Sequence, residues 1–216
     1  MKTILIELKT SILLTVVFTL VLCGAYPLAV WEAAHVFFSD KANGSLVYDS
    51  TGAIRGSALL AQNFSSDRYF QPRPSAAGTG YDPTNSGGTN LGPTSAKLAL
   101  GVHAVDATGR KIADPNNFDG IKDLVAAYRA SNGLPAGAPV PADAVTRSAS
   151  GLDPHISPGN ARLQAGRVAK ARGVTLEQLQ ALIDAHTETR DLGFLGEPRI
   201  NVLLLNLALD RETRAK

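Results

Sequence analysis

The chain has 216 residues, room for one domain and a fraction more at about 150 residues per domain. Its 21 Lys and Arg against 19 Asp and Glu leave a formal net charge of +2, which excludes a polyanion binder that works by bulk charge. A hydrophobic content of 44% excludes both a disordered chain and a polytopic membrane protein, and a single cysteine excludes a disulfide framework and a cysteine-based zinc site.

The apolar residues are not evenly spread. From Thr10 to Trp31 the run TSILLTVVFTLVLCGAYPLAVW carries no charge. As a helix these 22 residues extend about 33 Å, enough for a hydrocarbon core of ~30 Å. Residues 10–31 are therefore a predicted transmembrane helix, with Tyr26 and Trp31 placed for the aromatic belt. Lys2 and Lys9 precede it against Glu7 alone, and Glu32 and Asp40 follow it before Lys41. The positive-inside rule then puts residues 1–9 in the cytoplasm and residues 32–216 outside, in the periplasm of a bacterium. Two other readings compete. A cleaved signal peptide ending at Ala25 would place Cys23 at the −3 position, and a lipid anchor on Cys23 would have Leu22 where a small residue belongs. Asn43 and Asn63 fit the glycosylation pattern, which occurs often by chance.

In the outer region, Ser45–Tyr48 and Ala53–Leu60 around the turn Asp49–Gly52 read as a β-hairpin weakened at Gly56. Residues 71–95 are rich in Pro, Gly, Ser, Thr and Asn, yet hold Arg73, Tyr81 and Leu91; they read as an ordered loop held by a partner. A helix opening near Pro93 is expected to carry Ala96, Leu98, Ala99, Val102 and Val105. Ile121, Leu124, Val125 and Tyr128 form the clearest helical stripe, ending near Asn132-Gly133. Residues 134–142 read as an extended connector. Ser157-Pro158 caps a helix with Ala161, Ala165, Val168 and Ala169, stopped by Gly173; Thr175 with Gln178 boxes the next, with Leu176, Leu179, Leu182 and Ile183. Ile200–Leu209 suits either helix or buried strand, and its length favours helix. The fold class is α+β: one N-terminal transmembrane helix and a single mixed, helix-rich extracytoplasmic domain.

Four stretches exceed what folding requires: Tyr69–Ala77, with Arg73 and Ser75; Ser86–Pro93, with Gly87, Gly88 and Asn90; Thr146–Pro158, with Gly151, Asp153 and His155; and Gly196–Asn201, with Glu197, Arg199 and Asn201. Ser148, Ser150, Asp153 and His155 are the ingredients of a hydrolase, but there is no G-x-S-x-G elbow, and residues this close in sequence rarely converge from three sides. The alternative is an Asx turn at Asp153 followed by the Ser157 cap. A metal site at Asp153 and His155 lacks further ligands; His103 and His186 fall on predicted helices, where an ordinary structural role is expected. The glycines at 87, 88 and 92 fit neither a P-loop nor G-x-G-x-x-G. Arg73 and Arg199 sit beside prolines, where a planar donor fork suits a fixed carboxylate or carbonyl, on a partner or within the domain. Asn201 reads as a helix cap.

A membrane span followed by YFxxRPSA, SGGxNLGP, SxSGLDPHIS and EPxxNVLxLNxAL, in that order, resembles the KdpC family, the small accessory subunit of the bacterial high-affinity potassium-transporting P-type ATPase. Residues 151–157 are the most specific part, and Thr89 departs from an expected Ser. The resemblance implies an inner-membrane subunit with no catalytic residue of its own. Its implied partners are a potassium-channel-like subunit, the phosphorylated ATPase subunit and a small single-span subunit, besides membrane lipid; no nucleic acid is expected. It implies no directly bound cofactor, with ATP and K+ handled by the complex. The family is described as a catalytic chaperone that raises the ATP affinity of the pump subunit, with ATP binding ascribed to it. The charge-derived topology keeps residues 32–216 away from ATP and suits a domain that caps the channel-like subunit, where Asp153, Glu197 and loop 71–95 would concentrate K+. The alternative remains a secreted or anchored periplasmic hydrolase, or a small-ligand binding module, using residues 148–157.

Overall fold

The computed structural model describes residues 2–214 and separates into two compact units, divided between Leu46 and Val47. The first unit is helical. α1 (Lys2–Phe18), a π-helical stretch (Thr19–Ala25) and α2 (Tyr26–Phe37) run on as one helix of 36 residues, about 54 Å long at 1.5 Å per residue. Among the described residues it is the one helix long and apolar enough to cross a membrane. The charge-free run 10–31 is its middle. The helix continues outward because residues 2–9 and 32–37 contain neither Gly nor Pro to stop it. Thr10, Thr15 and Thr19 donate their hydroxyls to carbonyls four residues earlier, at 2.8–3.0 Å, so these polar groups are satisfied within the helix. The π register has a cause in the sequence. Pro27 has no N–H for the Cys23 carbonyl and its ring would strike that oxygen, so the ladder widens before it. The Tyr26 N–H accordingly reaches back five residues to Val21. A short helix α3 (Ser39–Ala42) follows.

The expected hairpin, β1 (Leu46–Tyr48) paired with β2 (Ile54–Ser57), begins at the division between the two units. Its turn is organised by Asp49, whose Oδ1 accepts from the Thr51 N–H and hydroxyl and from the Ala53 N–H. At Gly56, with φ of 151°, the side chains of Gln62 and Leu203 occupy the place a Cβ would take.

The core sits between α7 (Pro158–Arg172), α8 (Leu176–Ala185) and α9 (Val202–Arg214). Ala161, Ala165 and Val168 on α7, Leu179, Leu182 and Ile183 on α8, and Leu205 and Leu209 on α9 are buried together with Phe70, Ile156 and Ile200. The small residues on α7 let α8 approach closely. The ends of these helices follow from their sequences. The Ser157 hydroxyl accepts from the Asn160 N–H at 3.1 Å, and Gly173 closes α7 in the left-handed region at φ 69°. Thr175 and Gln178 exchange hydrogen bonds at 3.2 and 3.1 Å in a reciprocal box. α5 (Ile121–Ser131) carries the stripe of Ile121, Leu124, Val125 and Tyr128.

Three regions differ from the sequence expectation. The helix expected through Val105 is α4 (Ala96–Leu100) and stops at Gly101, φ 81°. Val102 and Val105 instead pair antiparallel with Phe118 and Lys111, because the Asp106–Gly109 turn doubles the chain back and β-branched residues suit the extended form. His103 lies with them, outside any helix. Second, a short helix α6 (Ala142–Val145) ends the 134–142 connector. Third, the block 200–209 divides. Ile200–Asn201 is a strand, β4, antiparallel to β3 (His155–Ile156) with Ile156 opposite Ile200, and the rest is α9. The architecture is α+β: an N-terminal apolar helix, then a helix-rich domain with two small sheets.

Candidate functional site

The first three motif stretches meet in one loop platform. Arg73, on extended backbone between Pro72 and Pro74, forms an ion pair with Asp153 at 2.9 Å and reaches the Thr146 carbonyl at 3.4 Å. The Nε of Arg73 is buried without a hydrogen-bond partner among the described residues. Ser75 ties the centre together: its hydroxyl donates to the Gly151 carbonyl at 2.6 Å and accepts from the N–H groups of Ala77 and Tyr81. Tyr81 in turn donates its hydroxyl to the Arg73 carbonyl at 2.8 Å; burial pushes that phenol up to about 12. Ser86 Oγ and the Gly87 N–H both donate to the Ser150 carbonyl at 2.9 Å.

The glycines are there for close approach. Gly151 is buried with φ 69°, and a Cβ on it would lie 2.7 Å from the Cβ and N of Ala77 and 2.8 Å from the Gly87 carbonyl. A Cβ on Gly88 would lie 2.8 Å from the Ala149 carbonyl. Within loop 71–95, Arg73, Ser75, Ser86 and Gly87 are thus held by residues 146–153 of the same chain.

Asp153 closes the platform. It accepts from the His155 N–H at 3.0 Å, with the His155 Nδ1 at 3.4 Å. Burial pushes its carboxyl up, but the bonds from His155 and Arg73 outweigh that and hold it at about 2. This is the Asx turn of the sequence reading. Among the described residues, neither Ser148 nor Ser150 hydrogen-bonds to His155: Ser148 Oγ accepts from the Asp153 N–H at 3.5 Å and Ser150 Oγ from the Leu152 N–H at 3.1 Å. A nucleophile and its base need that bond, and the hydroxyls serve the turn instead.

The remaining motif residues lie apart. Asn201 is opposite His155 across the β3–β4 pair; its Oδ1 accepts from the Leu204 N–H at 3.2 Å, capping α9, and its Nδ2 donates to the Ala58 carbonyl at 2.7 Å. Tyr69 donates to Asp210 at 3.1 Å, under the Arg172 guanidinium. It borders a cavity of about 480 Å³ whose lining includes Phe64, Leu203 and Leu207. Asn90 is exposed, in the left-handed region at φ 54°. Glu197 pairs with Arg190 at 2.7 Å, and Arg199 with Glu188 and Asp191 at 3.0 and 3.2 Å, on a separate hairpin. Those two carboxylates, Asp191 first, push the Arg199 guanidinium up.

The sequence reading missed a buried polar seam beside the platform. Asp143 accepts from the N–H and hydroxyl of Ser157 and from Asn160 Nδ2. Asn160 Oδ1 accepts from Tyr128 and Gln164, and Gln164 pairs both ways with the Gln71 backbone. Arg167 donates to Gln164 and to the carbonyls of Asp67 and Tyr69. The signal was present: Asn160, Gln164 and Arg167 recur at i, i+4 and i+7 next to the apolar stripe of α7. Asn206 likewise clamps both backbone groups of Phe70 at 2.9 Å.

Among the described residues, His103, Asp119 and Asp123 form a group with metal-ligand chemistry, their donor atoms within 4.8 Å of one another. The Asp123 carboxylate already accepts from His103, from Lys111 Nζ at 2.9 Å and from the Gly120 N–H at 3.1 Å. The hydrogen bond from His103 leads these in holding its carboxyl well below the usual range. The cluster fastens the 101–119 loop to the start of α5.

Residues 8–211 match the family model for KdpC, described as K+-transporting ATPase, c chain. The chain belongs to the KdpC family. A Mycobacterium tuberculosis protein (strain H37Rv) named potassium-transporting ATPase KdpC subunit is 47% identical over 205 residues, 95% of this chain and 98% of its own. Proteins of the same name from Koribacter versatilis and Myxococcus xanthus are 48% and 52% identical, over 94% and 91% of this chain and 94% and 84% of theirs. The four motif stretches all fall within the matched span.

Proposed function

We propose that this chain is the non-catalytic accessory subunit of an ATP-driven potassium uptake pump. It sits in the bacterial inner membrane through residues 10–31, with residues 1–9 cytoplasmic and residues 32–216 forming a periplasmic domain. It supports assembly and ATP-coupled K+ transport alongside a channel-like subunit, a phosphorylated ATPase subunit and a small single-span subunit. Family membership over nearly the whole chain is the observation that carries this reading.

The geometry favours a scaffold over a site of chemistry. Arg73, Ser75, Ser86, Gly151 and Asp153 are tied to one another and to the neighbouring Thr146, Ser150 and His155, which suits a rigid platform presented to a partner. Asp153 and Glu197 are each tied to an arginine, so assembly is favoured over electrostatic concentration of K+. ATP belongs to the cytoplasmic face in this topology, where only the start of the helix meets it. The raised ATP affinity ascribed to the family is then transmitted through the membrane and not made by a nucleotide pocket in the domain.

The test is a mild-detergent pull-down of the tagged full chain from native membranes, assayed for potassium-stimulated ATPase. Large membrane partners with that activity, lost on deletion of the chain, are expected. Recovery of the chain alone, shortened near Ala25, would return the weight to a secreted module.

A further inference from the structure

The cavity beside Tyr69 lies apart from the loop platform and is built like a ligand site. Its volume of about 480 Å³ falls in the range of small-molecule pockets. Three parts of the chain close around it: the β1–β2 hairpin through Asp49 and Arg55, the segment before Phe70 through Phe64 and Tyr69, and α9 through Leu203, Leu207 and Arg211. All of them belong to the second unit.

Two properties of the wall select a ligand. The first is an aromatic, apolar side. The Phe64 and Tyr69 rings stand 5.5 Å apart, centroid to centroid, tilted by 47°, and Leu203 and Leu207 add aliphatic surface. A further ring packs favourably beside such a pair. The second property is charge. Arg55 sets Nε and Nη2 on the Asp49 Oδ2 at 2.7 and 2.6 Å, and Arg172 Nη1 holds Asp210 at 2.7 Å. Each carboxylate of the wall therefore has its own arginine. Arg211 makes no ion pair among the described residues; it donates to the Tyr48 carbonyl at 3.3 Å, a neutral acceptor that leaves its charge uncompensated.

An organic monoanion with an aromatic body answers both properties. A guanidinium fork takes a carboxylate through two parallel hydrogen bonds. A phosphate ester or a nucleotide would bring its extra negative charge against Asp49 and Asp210, which repel it. An amine would find both carboxylates already paired. We propose that this cavity binds a monoanionic aryl carboxylate, with its ring against Phe64 and Tyr69 and its carboxylate on Arg211. The bound molecule joins the hairpin to α9 and so stabilises the domain by mass action. This goes beyond the accessory-subunit reading and does not depend on it.

The probe is 3-phenylpropanoate, with the neutral 3-phenylpropanamide as its counterpart. Each is titrated into the full chain in neutral-lipid nanodiscs and followed by saturation-transfer NMR, with nanodiscs lacking protein as the lipid background. The carboxylate is expected to bind saturably and about tenfold or more tighter than the amide, the scale of a hydrogen bond to a charged group. Arg211→Gln is expected to abolish that preference and leave amide binding unchanged. Leu207→Trp fills the cavity and is expected to remove binding of both probes, whereas Arg110→Gln, at an exposed arginine outside the cavity, changes neither. Absence of saturable binding at millimolar probe, equal affinity for acid and amide, or a preference that survives Arg211→Gln would overturn the proposal. Binding retained by Leu207→Trp would place the probe elsewhere and overturn it too, as would displacement of the probe by ATP, whose charge the wall is expected to reject.

Discussion

Gly151→Ala tests whether the platform depends on the contact between its loops. Two costs add. The residue sits at φ 69°, where a side chain costs about 1–2 kcal/mol. The new methyl would lie 2.7 Å from the Cβ and N of Ala77 and 2.8 Å from the Gly87 carbonyl. Two of those three contacts are backbone, which cannot swing aside, so the loops must part, at about 1–3 kcal/mol on the scale of overpacked cores. Parting them also lengthens the 2.6 Å bond from Ser75 to the Gly151 carbonyl. The sum is about 2–5 kcal/mol, a large share of the roughly 5–15 kcal/mol by which a domain is stable. For a domain of this size that lowers Tm by about 5–15 °C. The assay is thermal unfolding of the purified full chain in detergent, followed by circular dichroism. Gly166→Ala is the matched control: it lies on α7 with nothing within 4 Å of its would-be Cβ, and helix propensity makes that change neutral or stabilising by about 0.5–1 kcal/mol. A Gly151→Ala protein that melts with the wild type would refute the reasoning that these glycines are fixed by close packing.

Asp153→Asn should destabilise by about 2 kcal/mol at neutral pH, because a carboxyl held at about 2 instead of 3.8 stabilises the folded state when ionised. The folded value is depressed, so this contribution is present above pH 3.8 and is lost as pH falls through about 2; the stability gap between variant and wild type, measured by urea titration, narrows over that window. A gap constant from pH 7 to pH 2 would contradict the assignment. Asn201→Ala removes both the α9 cap and the bond to the Ala58 carbonyl, for an expected loss of about 1–2 kcal/mol in the same titration. Val17→Asp puts a carboxylate in the middle of the charge-free run, at roughly 2.5–3.5 kcal/mol on insertion scales, and is expected to abolish recovery of the chain in membrane-bound complex. Normal recovery would argue against residues 10–31 spanning the bilayer.

What was legible in the sequence divides by the range of the interaction that writes it. The apolar helix, the Ser157 and Thr175 caps, the Gly173 stop and the stripe on α5 are local, since the residues that decide each lie within a turn or two. The helix expected through Val105 failed for a local reason as well: Gly101 was passed over because the apolar spacing continued beyond it. The platform is different. Arg73 and Asp153 are 80 positions apart, as read from their ion pair, and Tyr69 and Asp210 are 141 apart. No periodicity reports such a pair, and although composition singled out the motif stretches, it did not say which of them meet. Nor did the resemblance give direction to their side chains. The composition of loop 71–95 suggested an ordered loop, and its packing against residues 146–153 supplies a steric reason for that order: Gly88 and Gly151 each face backbone at a distance no side chain tolerates. A glycine-rich loop with no helix or strand is therefore compatible with a tightly determined structure when its glycines are spent on contact between loops.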